Sequence, residues 1–185
     1  EDNLSRLVEI AHGIEKKYNI ELLIISGGNS SSIYLVDKGT IPKGINNLRL
    51  GESLVLGNET AYSNRIEGTY NDCFTFCAEI IEMKEKPSVP IGETGVDAFG
   101  NKPVYVDRGI RKRAILAAGR QDVKVDGLTP KDGDIIILGA SSDHMIIDIS
   151  DSTDKYTIGD IVEFTLDYGA LLAASTSDYV NKIIL

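Results

Sequence analysis

Glu21-Leu-Leu-Ile-Ile-Ser26, followed at once by Gly27-Gly-Asn-Ser-Ser-Ser32, decides how the first part of the chain is read. The first six residues are a short apolar run without alternation. A strand buried on both faces of a parallel sheet has that texture. The polar, glycine-rich stretch after it reads as a strand-to-helix turn. Upstream, Leu4, Leu7, Val8, Ala11, Ile14 and Tyr18 recur at three- and four-residue steps, which is one face of a helix. Asp2 and Asn3 suit its N-cap, and Asn19 suits its end. Downstream, Ile33 to Val36 reads as one or two helical turns and 38–44 as loop. Asn47 to Gly57 reads as a short strand running into a short helix. The order α-β-α-β-α over residues 1 to 57 implies a parallel α/β layer. Two parallel strands with one crossover do not make a covered sheet. Either this piece packs on the remainder of the chain, or strands that precede residue 1 are missing. The absent initiator Met favours the second.

After Gly57 the texture changes to short alternating or β-branched runs bounded by turn residues. Strands are expected near Cys73–Met83, Lys102–Val106, Arg113–Ala117, Asp134–Leu138, Met145–Ile149, Ile161–Leu166 and Val180–Leu185. Lys86-Pro87, Phe99-Gly-Asn101, Lys131-Asp-Gly133 and Ile158-Gly-Asp160 separate them. This pattern belongs to an all-β barrel or sandwich. The expected organisation is an α/β part over residues 1–58 and an all-β part over 59–185.

Composition bounds the function. The chain has 185 residues, 42% hydrophobic and 25% charged, which is a soluble, globular balance. It is too short for a complete (β/α)8 barrel of roughly 250 residues. No apolar run approaches about 18 residues, so no membrane span is expected. The N-terminus lacks the layout of a signal peptide, and a cytoplasmic protein is expected. A formal net charge of −9 disfavours a nucleic-acid partner. Two cysteines, Cys73 and Cys77, are too few for a disulfide framework. Four positions apart on a strand they would lie about 13 Å from each other, too far for a disulfide or a shared metal. They read as small, buried or half-buried side chains. No zinc ligand set, G-x-S-x-G or complete P-loop occurs, and no metal is expected.

Several stretches could carry chemistry. Gly27–Ser32 either makes an ordinary turn or cradles an anion with backbone N–H groups and hydroxyls. Leu50-Gly-Glu-Ser53 is a second such turn after the next strand. In (β/α)8 barrels a ligand phosphate often sits after the last two strands, at the C-terminal rim. Arg49, inside the second apolar run, needs a partner, since its guanidinium keeps its proton. That partner is either a carboxylate such as Glu52 or a ligand atom. Asp107-Arg-Gly-Ile-Arg-Lys-Arg113 is basic in an acidic chain, and reads as a solvated loop, an anion site or a subunit contact. His144, in Gly139-Ala-Ser-Ser-Asp-His144, is either structural or catalytic.

In order and spacing these pieces resemble the C-terminal half of fold-type III amino-acid racemases, the alanine-racemase family. Ser26-Gly-Gly-Asn-Ser-Ser31 is similar to the family's phosphate turn after barrel strand 7. Leu48-Arg-Leu-Gly-Glu-Ser-Leu-Val-Leu-Gly57 is similar to its strand-8 pattern. Val106-Asp-Arg-Gly-Ile-Arg-Lys-Arg-Ala114, Gly139-Ala-Ser-Ser-Asp-His-Met-Ile-Ile-Asp148, Ile158-Gly-Asp-Ile-Val-Glu-Phe164 and Leu166-Asp-Tyr-Gly-Ala-Leu-Leu172 continue the match. Gly119-Arg-Gln-Asp122 looks closest to the ornithine-type or predicted amino-acid racemase branch.

The resemblance implies the last βα units of a TIM barrel followed by an alanine-racemase-type β-barrel domain, pyridoxal 5′-phosphate as cofactor, and a homodimer. It implies that Asn29, Ser30, Ser31 and the backbone around Gly51 and Glu52 hold the cofactor phosphate. Arg49 would donate to the pyridine nitrogen and keep it unprotonated, making the ring a weaker electron sink. Ser142 and Asp143 would approach the carboxylate of a small amino-acid substrate. Racemisation needs acid/base groups on both faces of Cα, a lysine and a tyrosine in this family. No lysine present lies in the family's motif, so the 185-residue chain alone is expected to be inactive. The family's tyrosine sits in a Gly-Tyr-x-Asp-Gly-like stretch. Here that line carries Asp107, with Tyr105 two residues earlier on the same strand face. Tyr105 is either the acid/base group or an ordinary strand tyrosine. Tyr179 is a further aromatic that could reach the site. Two rival readings are a decarboxylase of the same fold type and a non-catalytic cofactor-binding or dimerisation module. Neither cysteine matches the proton donor that a decarboxylase would need.

Overall fold

The structure is a computed structural model that describes residues 2–93, 95, 96, 100, 104 and 106–184. The chain divides into two compact units, Glu1–Cys73 and Phe74–Leu185.

In the first unit, helix α1 (Asp2–Tyr18) buries Val8 and Ala11. Lys16 and Lys17 in its last turn suit the negative end of the helix dipole. Asn19 closes it with a left-handed backbone, φ 52°. Strands β1 (Ser26–Asn29) and β2 (Asn47–Arg49) pair in parallel, Ser26 opposite Asn47 and Asn29 opposite Arg49. A 3-10 turn (Ser30–Ser32) and α2 (Ile33–Asp37) cross between them, and α3 (Glu52–Val55) follows β2. The α-β-α-β-α order is therefore present.

The strand expected over Glu21–Ser26 begins only at Ser26. Leu23 is 79% and Ile24 66% exposed, and only Ile25 of that run is buried. Asn46 explains the shift. Its side-chain amide takes the place of a ladder partner, accepting from Ile25 N at 2.8 Å and donating to Leu23 O at 2.9 Å.

Residues 59–73, read from sequence with the β part, hydrogen bond back onto the first unit. Ile66 N donates to Gly57 O, and Asn58 bridges to Arg65. Gly57 is required by its φ of +68°, and because a Cβ there would meet Thr69 Oγ1 at 2.3 Å and Tyr70 O at 2.9 Å. Glu59 sits buried in the loop and accepts backbone N–H groups of Ala61, Tyr62 and Asn64. Burial pushes its carboxyl up, but these donors outweigh it and hold the group below its usual range.

The second unit is an antiparallel sheet in the order β5-β8-β3-β4-β7-β6. Its strands are β3 (Phe76–Pro87), β4 (Ile110–Leu116), β5 (Leu128–Pro130), β6 (Ile136–Ala140), β7 (Met145–Asp148) and β8 (Ile161–Leu166). Leu128 of β5 and Ile137 of β6, from the two edge strands, line one groove, so the sheet is curled almost into a barrel. Phe76, Ala78 and Ile80 point inward on alternate positions of β3 and meet Leu116, Met145, Ile147, Val162 and Phe164 in one core. Between Ile80 and Glu82 the register slips, so Ile80 opposes Leu116 while Glu82 opposes Ile115.

Some expectations need correcting. No strand forms over 180–184. The segment leaves the C-terminal cap of helix α4 (Tyr168–Thr176), and Ile183 and Ile184 are exposed without a ladder. Helix α4 and strand β5 were not expected. The strand expected over Lys102–Val106 includes residues outside those described. Both cysteines are exposed rather than half-buried, because Cys77 sits on the outward face of β3 and Cys73 precedes that strand. Among the described residues no helix is long and apolar enough to cross a membrane.

Candidate functional site

Two clusters emerge, one in each unit. The first joins the turns after β1 and β2. Asn29 caps the 3-10 turn, its Oδ1 accepting from Ser31 N at 2.9 Å and Ser31 Oγ at 2.7 Å. That fixes Ser30 inward, and Ser30 is buried. Its Oγ accepts from Gly51 N and Ser53 N, each at 3.2 Å, and from Ser53 Oγ at 3.1 Å. One hydroxyl thus ties the second turn to the first. Parallel pairing sets Arg49 opposite Asn29. Arg49 is exposed, and its Nη1 donates to Ser26 Oγ at 2.9 Å, which donates in turn to Asn47 Oδ1 at 2.8 Å. Its partner is a hydroxyl on the neighbouring strand, not Glu52.

The first cluster has the donor chemistry a phosphate needs. In this structure those donors bond one another: the N–H groups of Gly51 and Ser53 and the Ser53 hydroxyl go to Ser30 Oγ, the Ser31 hydroxyl goes to Asn29 Oδ1, and the Arg49 guanidinium goes to Ser26 Oγ. The backbone before it is drawn in tightly. A Cβ on Gly27 would meet Ile45 Cδ1 at 2.4 Å, and one on Gly28, at φ +109°, would meet Ser32 Oγ at 2.3 Å. The residue types gathered there, backbone amides and hydroxyls, are those that suit an anion such as a phosphate.

The second cluster surrounds the turn between β6 and β7. Ser142 Oγ donates to Asp143 Oδ1 at 3.0 Å, and Ser141 Oγ does so at 3.3 Å. His144 Nδ1 lies 3.3 Å from Asp143 Oδ2. The Ser142 hydroxyl, more than the neighbouring imidazole, holds the Asp143 carboxyl below its usual range.

The Gly119–Asp122 turn clamps this arrangement, and sequence reasoning assigned it no role. Arg120 N donates to Ser141 O at 2.9 Å and Gln121 N to Ser142 O at 2.8 Å. Asp122, buried, closes the clamp by accepting Gly119 N at 2.7 Å. Only glycine fits at 119, since a Cβ would lie 2.5 Å from Asp143 N and Ser142 O. The same turn holds Tyr179, because Ser177 Oγ donates to Gln121 O at 3.3 Å and accepts from Tyr179 N at 3.3 Å. The structure thus brings Ser142, Asp143 and Tyr179 onto one mount.

Tyr105 lies outside the described residues. In the basic stretch 107–113, Arg111 and Arg113 are bonded to residues elsewhere in the second unit. Arg111 Nε donates to Asp148 Oδ2 at 2.9 Å and its Nη1 to Asp151 Oδ1 at 3.0 Å. Arg113 Nη2 donates to Ser88 O at 2.8 Å. Among the described residues no group of three His, Cys, Asp or Glu is arranged to hold a metal ion.

No protein-family model matches the chain. It is 60% identical over 184 residues to ornithine racemase of Acetoanaerobium sticklandii, covering 100% of this chain and 52% of that protein. It is 45% identical over 177 residues to lysine racemase of Thermotoga maritima, covering 96% of this chain and 50% of that protein. The chain spans about half the length of the curated relatives it matches. Among solved structures, alanine racemase from Bartonella henselae with covalently bound pyridoxal phosphate superposes with a TM-score of 0.56. That match covers 97% of this chain and 47% of the other at 17% identity, a likeness of fold alone. Over nearly all of its length the chain is thus similar to about half of an ornithine racemase and of a lysine racemase, and its fold is like that of an alanine racemase.

Proposed function

We propose that the whole protein to which this chain belongs interconverts the L and D forms of an amino acid, with pyridoxal 5′-phosphate as cofactor. The observation that carries this is the 60% identity to an ornithine racemase across the full chain. Ornithine and lysine, named for the two relatives, share an aliphatic stem ending in an ammonium group, so a basic amino acid is the substrate class. A cytoplasmic homodimer is part of the same reading.

When bound, the cofactor supplies a conjugated ring that accepts electron density from Cα as the α-proton leaves. Asn29, Ser30 and Ser31, with the backbone N–H groups at Gly51 and Glu52, hold its phosphate. Arg49 would donate to the ring nitrogen, and a fixed cation there would keep that nitrogen unprotonated. Ser142, Asp143 and Tyr179 bind the substrate. Tyr105 would serve as one acid/base group, and the other would be a lysine that is not among the motifs of this chain.

The test is direct. The full-length protein, purified with pyridoxal 5′-phosphate, is expected to convert L-ornithine into the racemic mixture by polarimetry. Exchange of one α-proton for solvent deuterium should accompany conversion. Tyr105→Phe is expected to lower kcat by at least about 100-fold while the cofactor absorbance is retained. A full-length protein that racemises no amino acid would overturn the assignment.

A further inference from the structure

Among the described residues of the first unit, Glu59 is the only buried carboxylate, and the proposed function gives it no part. A carboxylate taken out of water needs donors, and Glu59 finds them in its own loop. Its Oε2 accepts from Ala61 N at 2.8 Å, its Oε1 from Asn64 N at 2.9 Å, and both oxygens from Tyr62 N at 3.1 Å. Glu59 N donates to Asn64 O at 2.9 Å, so residues 59–64 close around the charge. The closed loop is tied on two sides. On one side Thr60 N donates to Ser30 O at 3.4 Å, and Tyr62 packs edge-on against Tyr34 of α2 with 5.3 Å between ring centroids. Both partners lie on the segment that carries Asn29, Ser30 and Ser31. On the other side Ile66 N donates to Gly57 O at 2.9 Å, and Thr69 Oγ1 donates to the same oxygen at 3.2 Å. Gly57 follows α3, the short helix that Gly51 caps.

From this we infer that Glu59 is a positioning residue for the cofactor phosphate: its side chain closes the 59–64 loop, and the closed loop sets the Ser30 turn against the Gly51–Ser53 turn. The inference rests on the cofactor reading of these two turns and deepens it. Three observations support it. First, the loop meets the Ser30 segment at Thr60 and Tyr62, next to and at the residues whose N–H groups Glu59 holds. Second, Ser30 is held from both sides. Its carbonyl takes Thr60 N, and its Oγ takes Gly51 N, Ser53 N and Ser53 Oγ. A shift of the carbonyl therefore moves the oxygen on which the second turn converges. Third, the carboxylate stays ionised. Burial pushes it up, and the backbone donors outweigh burial. An ionised acceptor makes stronger hydrogen bonds than a neutral one. An amide in its place has a single accepting oxygen and turns an NH2 group toward N–H donors. Glu59 touches no cofactor atom in this scheme and acts through Ser30.

The test compares pyridoxal 5′-phosphate with pyridoxal, which is the same ring without the phosphate. Each is titrated by fluorescence into the full-length protein stripped of cofactor, at a temperature below the thermal midpoint of every variant. The ratio of the two dissociation constants reports the phosphate contacts. The wild type is expected to bind the phosphorylated ligand more tightly. Glu59→Gln is expected to cut that preference by roughly 10-fold or more. Glu59→Asp keeps the charge on a shorter stem and should keep more of the preference. It also carries the test if the glutamine variant does not fold. A fall in folded protein weakens both ligands by one factor and leaves the ratio alone. The inference is therefore overturned if the folded variants bind both ligands more weakly at an unchanged ratio, which makes Glu59 merely structural. Unchanged binding of both ligands overturns it as well, and in either case a wild type that prefers the phosphorylated ligand leaves the cofactor reading standing. A wild type that binds the two ligands equally overturns the inference and the phosphate reading of the two turns together.

Discussion

Ser30 does the work of a small junction. Three donors converge on one buried oxygen, so Ser30→Ala leaves the N–H groups of Gly51 and Ser53 without their acceptor. A loss of about 1–3 kcal/mol is expected in urea unfolding of the first unit. Weaker binding of pyridoxal 5′-phosphate by fluorescence titration should accompany it. Gly119→Ala belongs to the same scale. Its new methyl would meet backbone rather than a flexible side-chain end, so the clamp must move. A destabilisation of about 1–3 kcal/mol is expected from the overpacking, read by denaturant titration.

Charge acts residue by residue as well. Burial pushes the Asp148 carboxyl up, but Arg111 and Ser150 outweigh it, and Arg111 also holds Asp151 low. A carboxylate whose folded pKa is depressed contributes its full stability above the unfolded value, about 3.9 for aspartate. That contribution is lost as pH falls through the folded value. Thermal midpoints should therefore be insensitive to these groups from pH 7 to about 5 and should fall below about pH 4. Arg111→Gln is expected to lower the neutral-pH midpoint and to flatten the acid limb.

At the scale of elements, much was legible and the misses have physical causes. Alternation gave away β3, because Phe76, Ala78 and Ile80 face the core while Cys77 and Glu79 do not. Strand β1 was displaced because an apolar run alone does not say where its hydrogen-bonding partner starts. Asn46, a side chain, made that decision. Helix α4 was missed because its small residues, Ala170, Ala173, Ala174 and Ser175, carry little periodic signal. Its start is nonetheless marked. Asp167 Oδ1 accepts from Ala170 N at 2.6 Å, and that N-cap was readable as a rule. Asp167→Ala is expected to cost about 0.5–2 kcal/mol, measured by the same denaturant titration. For the candidate sites, sequence reasoning named Asn29, Ser30, Ser31, Arg49, Ser142 and Asp143, which the structure gathers into two clusters. It did not find the Gly119–Asp122 clamp, because backbone N–H groups make the contacts and have no residue type.

For the molecule as a whole, the two units differ in what holds them. The second has one continuous core running through β3, β4, β7 and β8 and onto α4, all within residues 74–184. Expressed alone, that segment is expected to unfold in a single cooperative transition by circular dichroism. Phe164→Ala, at a fully buried position, should destabilise it by about 3–5 kcal/mol. The first unit has a two-stranded sheet and few buried apolar residues, and a smaller, less cooperative transition is expected of it.

The clamp at Gly119–Asp122 also bears on how freely the tip of the β6–β7 turn can vary. It grips the 141–142 backbone through amides and carbonyls alone. Such a joint is indifferent to which side chains its guest displays. The tip can be redecorated, one serine or aspartate at a time, while the holder keeps its shape. Variation at the tip then becomes a matter of exchanging letters on a fixed mount rather than rebuilding the fold.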